Sequence, residues 1–86
     1  MAKLTKKEQA WVNKVQKVLN ECPSKRIGFY TMGDNDITLY DVIKDDEIRE
    51  LLNTNNCSDW GPCVEQLNAG FNETLDFPNP VESVAG

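Results

Sequence analysis

Without a single histidine, the chain lacks the commonest general base near neutral pH. That absence removes Cys–His and Ser–His nucleophile pairs together. The glycines fall in neither the Gly-x-x-x-x-Gly-Lys-Ser/Thr nor the Gly-x-Gly-x-x-Gly spacing, so no loop is set up to cradle a phosphate. Two carboxylates at a suitable separation can act as acid and base, but 14 acidic residues among 86 make any one pair uninformative. A domain of this length also has little depth for a substrate pocket. The residues therefore point to a protein that is not an enzyme and uses no cofactor.

Metal and redox chemistry has as little to work with. Cys22, Cys57 and Cys63 make an odd count, include no Cys-x-x-Cys pair and have no histidine to complete a zinc site. The expectation is three small, partly buried apolar residues in a reducing compartment, and no metal. Asp34-Asn35-Asp36 has the look of a calcium loop but lacks the sixth-position glycine and the closing glutamate, which makes it a hairpin turn. Asn56-Cys57-Ser58 and Asn72-Glu73-Thr74 match the glycosylation sequon. The opening Met1-Ala2-Lys3-Leu4-Thr5-Lys6-Lys7-Glu8 has positive charge with no apolar stretch behind it, so it does not read as a secretory signal and the sequons read as chance matches. No apolar run approaches the roughly 20 residues of a membrane span. A cytoplasmic protein with no membrane partner is expected.

The net charge of −5 conceals a division. Residues 1–26 hold seven basic against two acidic side chains, a net +5, whereas residues 27–86 hold two against 12, a net −10. Such asymmetry points to electrostatic partners rather than to a fold. Lys6, Lys7, Lys14 and Lys17, with Lys3 if the helical phase extends that far, fall within roughly 100° on one helix side and could neutralise phosphates. No arginine or aromatic lies among them to read or stack on bases, and the acidic remainder repels a polyanion, so nucleic acid is disfavoured. The dense group Asp41, Asp45, Asp46, Glu47 and Glu50 supports the rival reading, with Asp34, Asp36, Asp59, Glu65, Glu73 and Asp76 extending its field. Carboxylates spaced like phosphates can occupy a nucleic-acid-binding groove by matching its positive potential. Tyr30, Tyr40 and Trp60 are residue types enriched at interface hot spots, although each type is more often simply half-buried core.

The elements that must position these residues are legible in part. Thr5 followed by Glu8 forms a capping box, and Trp11, Val12, Val15, Val18, Leu19 and Cys22 then recur on an arc of roughly 120° until Pro23. That predicts an N-terminal helix. Ile27-Gly28-Phe29-Tyr30-Thr31 and Ile37-Thr38-Leu39-Tyr40-Asp41-Val42 are β-prone around a turn, which predicts an antiparallel hairpin. Alternation puts Ile27, Phe29, Ile37 and Leu39 on one face and Tyr30, Met32, Tyr40 and Val42 on the other, the second being the expected outer face. Asp45-Asp46-Glu47 opens a short helix with Ile48, Leu51 and Leu52 inward. A further helix starts near Ser58 or Gly61, with Pro62 in its first turn and Gly70 as its stop. Phe71, Leu75 and Phe77 alternate as an edge strand would, while Val64, Leu67, Phe71 and Leu75 also continue a helical row. The expectation is one α+β domain over residues 1–77, with two short helices after the hairpin, a third edge strand, and an extended tail over 78–86. The first helix and the acidic helices would share one face of the sheet.

The Lys6-Lys7-Glu8-Gln9-Ala10-Trp11-Val12 run, the Cys22-Pro23-Ser24 break, Ile27-Gly28-Phe29-Tyr30-Thr31, Ala69-Gly70-Phe71 and Phe77-Pro78 carry a resemblance that runs over most of the chain. In them the chain resembles small accessory, early-region proteins of lambda-like temperate phages and prophages. No catalytic or ligand motif accompanies the resemblance. It implies a phage or prophage origin, action in a bacterial cytoplasm, and a small protein that binds and disables a host enzyme or defence complex. The leading expectation is thus a non-enzymatic binding protein that inhibits a nucleic-acid-handling or defence complex of the host through an acidic surface. The alternative is a self-associating accessory module, a homodimer through the outer hairpin face. Nucleic-acid binding through the lysine face is the second alternative.

Overall fold

Thr5 starts the first helix by exchange with Glu8. The Thr5 Oγ1 accepts from the Glu8 backbone N–H at 3.1 Å, and the Glu8 carboxylate accepts from the Thr5 N–H at 2.8 Å. The computed structural model describes residues 1–33 and 35–82. It runs helix α1 over Lys6–Asn20, strand β1 over Ile27–Tyr30 and strand β2 over Asp36–Asp41. A single 3-10 turn, Val42–Lys44, leads into helix α2 at Asp45–Asn53, followed by helix α3 at Trp60–Gln66 and strand β3 at Gly70–Asp76. The sheet is antiparallel in the order β1-β2-β3, so the chain is an α+β fold.

The ambiguous segment after α3 is a strand because it pairs with β2, Leu75 opposite Ile37 and Thr74 opposite Thr38. A register shift between Thr38 and Tyr40 makes a bulge there. Asn72 sits within it at φ 58°, a left-handed conformation that asparagine tolerates better than most residues. Asn68 at φ 54° likewise ends α3, and Gly70, the expected stop, instead opens β3. The start of α3 is fixed by Asp59, whose carboxylate accepts from the Trp60 N–H at 2.8 Å. Pro62 lies in the first turn, where a missing N–H costs nothing.

The core lies between the sheet and the two later helices. Tyr40, Ile48, Cys63, Val64 and Ala69 are buried, and Tyr30, Val42, Leu51, Leu52, Trp60 and Leu67 pack against them. This reverses the expected exposure of the hairpin. The face bearing Tyr30, Tyr40 and Val42 is the covered one, and only Met32, at the hairpin end, stays 72% exposed. Gly28 shows why the tyrosine face packs so closely. Opposite Tyr40 in the register, it leaves the space that the ring fills, and a Cβ there would lie 2.5 Å from both the Tyr40 ring and the Val42 side chain.

Helix α1 does not share that face. None of its residues is buried, and its C-terminal half lies across from the opposite sheet face, Ile27, Phe29, Ile37 and Leu39. The physical reason is occupancy, since α2 and α3 already fill the tyrosine face. With α1 standing off, the radius of gyration is 15.8 Å, against about 12 Å for a compact domain of this length.

The cysteines also depart from expectation. Cys57 and Cys63 are disulfide-bonded, with Cα atoms 5.6 Å apart, and only Cys22 is a free, exposed thiol. The turn through Asn55, at φ 57°, and Asp59 brings position 57 back beside the first turns of α3. After β3, the Phe77 N–H donates to the Asn35 carbonyl at 2.8 Å and the Val81 N–H to the Asn35 Oδ1 at 3.1 Å. These bonds tie the first residues of the expected tail to the hairpin turn. Residues 83–86 of that tail, and Asp34 of the acidic field and the turn, lie outside the described residues.

Candidate functional site

The open side of the molecule is lined by apolar groups from two elements. The stripe that defines α1 as amphipathic is bare, with Trp11 60% and Val18 68% exposed. Across from it the sheet presents Phe29 and Phe77, 47% and 45% exposed. Between them lies a hollow of about 500 Å³ lined by Val18, Leu19, Cys22, Ile27, Phe29, Ile37, Leu39, Leu75 and Phe77. A second hollow, about 540 Å³, continues along the start of α1 between Leu4, Trp11, Val12 and the Pro78-Asn79 segment. Leaving a side chain of this size in water forgoes about 1.5–3 kcal/mol relative to burying it. Contiguous apolar surface of this kind marks interaction sites.

The carboxylates singled out by sequence divide into two groups. Asp41 is internal to the fold, accepting from the Ile43 N–H at 3.0 Å and lying 3.5 Å from the Arg26 guanidinium. Asp45 accepts from the Tyr40 hydroxyl at 2.8 Å and from the Arg49 Nε at 2.7 Å. Those two donors, Arg49 first, hold the Asp45 carboxyl below its ordinary range, while burial and then the Asp45 bond push the Tyr40 phenol up. Both carboxylates are therefore committed to structure. Asp46, Glu47 and Glu50 remain exposed and rim a shallow hollow of about 410 Å³ with Leu51 and Leu67. Glu47 also lies 3.8 Å from Lys44.

The three aromatic candidates belong to the core rather than to an outer surface. Tyr40 meets Tyr30 edge to face at 5.9 Å and Trp60 at 5.6 Å. Arg49, already bonded to Asp45, lies over the Trp60 ring at 5.2 Å. The Trp60 indole N–H is buried with no acceptor among the described residues.

Lys6, Lys7, Lys14 and Lys17 all stand exposed on α1. Among the described residues the ion pairs involve Arg26, Lys44 and Arg49 and none of these four lysines. Among the described residues no ion pair thus joins the α1 lysines to the acidic body. Among the described residues no group of three or more metal-ligating side chains is gathered, and no helix is long and apolar enough to cross a membrane.

Sequence reasoning passed over the open side, because Phe29, Leu75 and Phe77 read as ordinary strand residues and the α1 stripe as ordinary core. A signal was present in the apolar character of both hairpin faces, more than two short helices can cover. Comparison of the chain with protein-family models, with curated proteins and with solved structures gives no match.

Proposed function

We propose that this chain is a non-enzymatic binding module whose working surface is the open side between α1 and the sheet. The observation that supports this most is a 15-residue amphipathic helix none of whose residues is buried. A helix draws most of its stability in a protein from packing its apolar face, so a stripe left bare is a face awaiting a partner. The resemblance to phage accessory proteins makes a host protein or complex the first partner class.

A second reading is favoured by Asp46, Glu47 and Glu50, which stand exposed side by side on α2. They would meet a basic surface such as that of a nucleic-acid-handling host protein, and inhibit it by occupying its groove. This patch is smaller than the five carboxylates suggested, since Asp41 and Asp45 are held by the fold. As for compartment, the Cys57–Cys63 bond suits an oxidising environment better than the cytoplasm. In a bacterial cytoplasm the chain would work with that pair reduced.

Capture from a bacterial lysate with the wild-type chain, Val18→Glu and Glu47→Lys separates the two surfaces. Loss of a captured protein with Val18→Glu and retention with Glu47→Lys is expected. The reverse pattern transfers the function to the acidic patch.

A further inference from the structure

We infer that the partner seated on the open side is a second copy of this chain, with α1 of each copy lying across the sheet face of the other. This rests on the reading of the open side as the working surface, and it puts a second copy in place of a host protein as the occupant of that surface. The chain carries both halves of the required contact, an apolar helical stripe with no buried residue and a sheet face whose Ile27, Ile37 and Leu39 are half-buried and whose Phe29, Leu75 and Phe77 are exposed. Reciprocal use of the two gives a closed two-fold contact. The α1–β1 connection through residues 21–26 contains no regular element and gives the helix room to reach across.

Charge selects this arrangement over others. Two bodies of net −10 each would repel if they met directly. Interposing the two α1 helices, each carrying four lysines against Glu8 for a net +3, places positive charge between them. The α1 lysines have no ion-pair partner within their own chain among the described residues, so their charge is unspent. Glu73 is an exposed carboxylate at the rim of the sheet face, where its neighbour Arg26 is already paired with Asp41.

The area is adequate. The apolar side chains left open on α1 and on the sheet face expose on the order of 700 Å² per copy, taking about 150 Å² for each aliphatic and about 225 Å² for each aromatic side chain. Stable interfaces take about 800 Å² from each partner.

Sedimentation of the full chain over a concentration series tests the inference, with Val18→Glu on the helix and Phe29→Glu on the sheet as variants. Both side chains are exposed in the single copy, and circular dichroism checks that each variant keeps its fold. The expected result is a wild-type dimer and two monomeric variants. A wild-type chain that stays monomeric up to about 1 mM overturns the inference. So does a dimer that Val18→Glu breaks and Phe29→Glu leaves intact, which would be helix pairing alone, or one that neither variant disturbs. A monomeric wild-type chain that still captures another protein in a Val18-dependent way overturns the second copy alone and leaves the open side as the working surface.

Discussion

The most informative single residues are those whose roles the fold has fixed. Asp45 and Asp46 are adjacent and chemically identical, yet only Asp45 meets Tyr40 and Arg49. Arg49 lies four residues beyond Asp45, a local pairing that Asp46 lacks, and the rest of the distinction depends on β2 delivering the Tyr40 hydroxyl. Replacing Tyr40 with Phe removes the hydroxyl donor and is expected to cost about 1–2 kcal/mol in denaturant unfolding. The pH dependence follows from the same bonds. The folded Asp45 pKa lies below its ordinary value, so its contribution is complete above about pH 4 and is lost as pH falls through the lowered pKa. The folded Tyr40 pKa lies above its ordinary value, so its contribution is complete below about pH 10 and is lost as pH rises through the raised pKa. Thermal unfolding of the wild-type chain should therefore show a plateau with an acidic and an alkaline shoulder, and Tyr40→Phe should lose the alkaline one. Gly28→Ala is a second case. A Cβ at 2.5 Å from the Tyr40 ring and from Val42 forces both to move, and about 1–3 kcal/mol of destabilisation is expected from overpacking.

At the scale of elements, helix starts and strand character were legible because their signals are local. The Thr5–Glu8 capping box, the carboxylates opening α2 and the β-branched and aromatic strands each act within a few residues. Which element covers which face is a different kind of fact. Tyr40 and Val42 were assigned to the same face of the hairpin, but the choice of that face by α2 and α3 depends on Gly28 lying opposite Tyr40 on the paired strand and on Ile48 reaching the same cluster. The open side was missed for the same reason, since a stripe such as Trp11–Val15–Val18 looks identical whether it is buried or bare. A contrast of substitutions checks the assignment. Val18→Ala on α1 should change stability by less than about 0.5 kcal/mol, while Ile48→Ala, at a fully buried position, should cost about 2–5 kcal/mol. The Cys57–Cys63 link adds a third element-scale test. Closing so short a loop stabilises the fold by about 2 kcal/mol, so reduction should lower stability by that amount, and thiol titration should rise from one group to three.

The whole molecule has a compact half, in which α2 and α3 cover the tyrosine face of the sheet, and an open half made of α1 and the opposite sheet face. Its extents of 48 × 30 × 19 Å reflect that division. Net charge divides along the same line, a basic helix segment against an acidic body. Charge asymmetry was legible in the sequence, and it led toward the carboxylates rather than toward the apolar groups beside the lysines. Amide hydrogen exchange on the full chain, dilute and concentrated, measures the division directly. The account predicts weak protection of α1 in dilute solution, strengthening with concentration, while amides around Ile48 and Val64 exchange slowly and alike in both. Equal and strong protection of α1 at every concentration would contradict it, because the helix would then be packed on its own sheet with no surface left to offer.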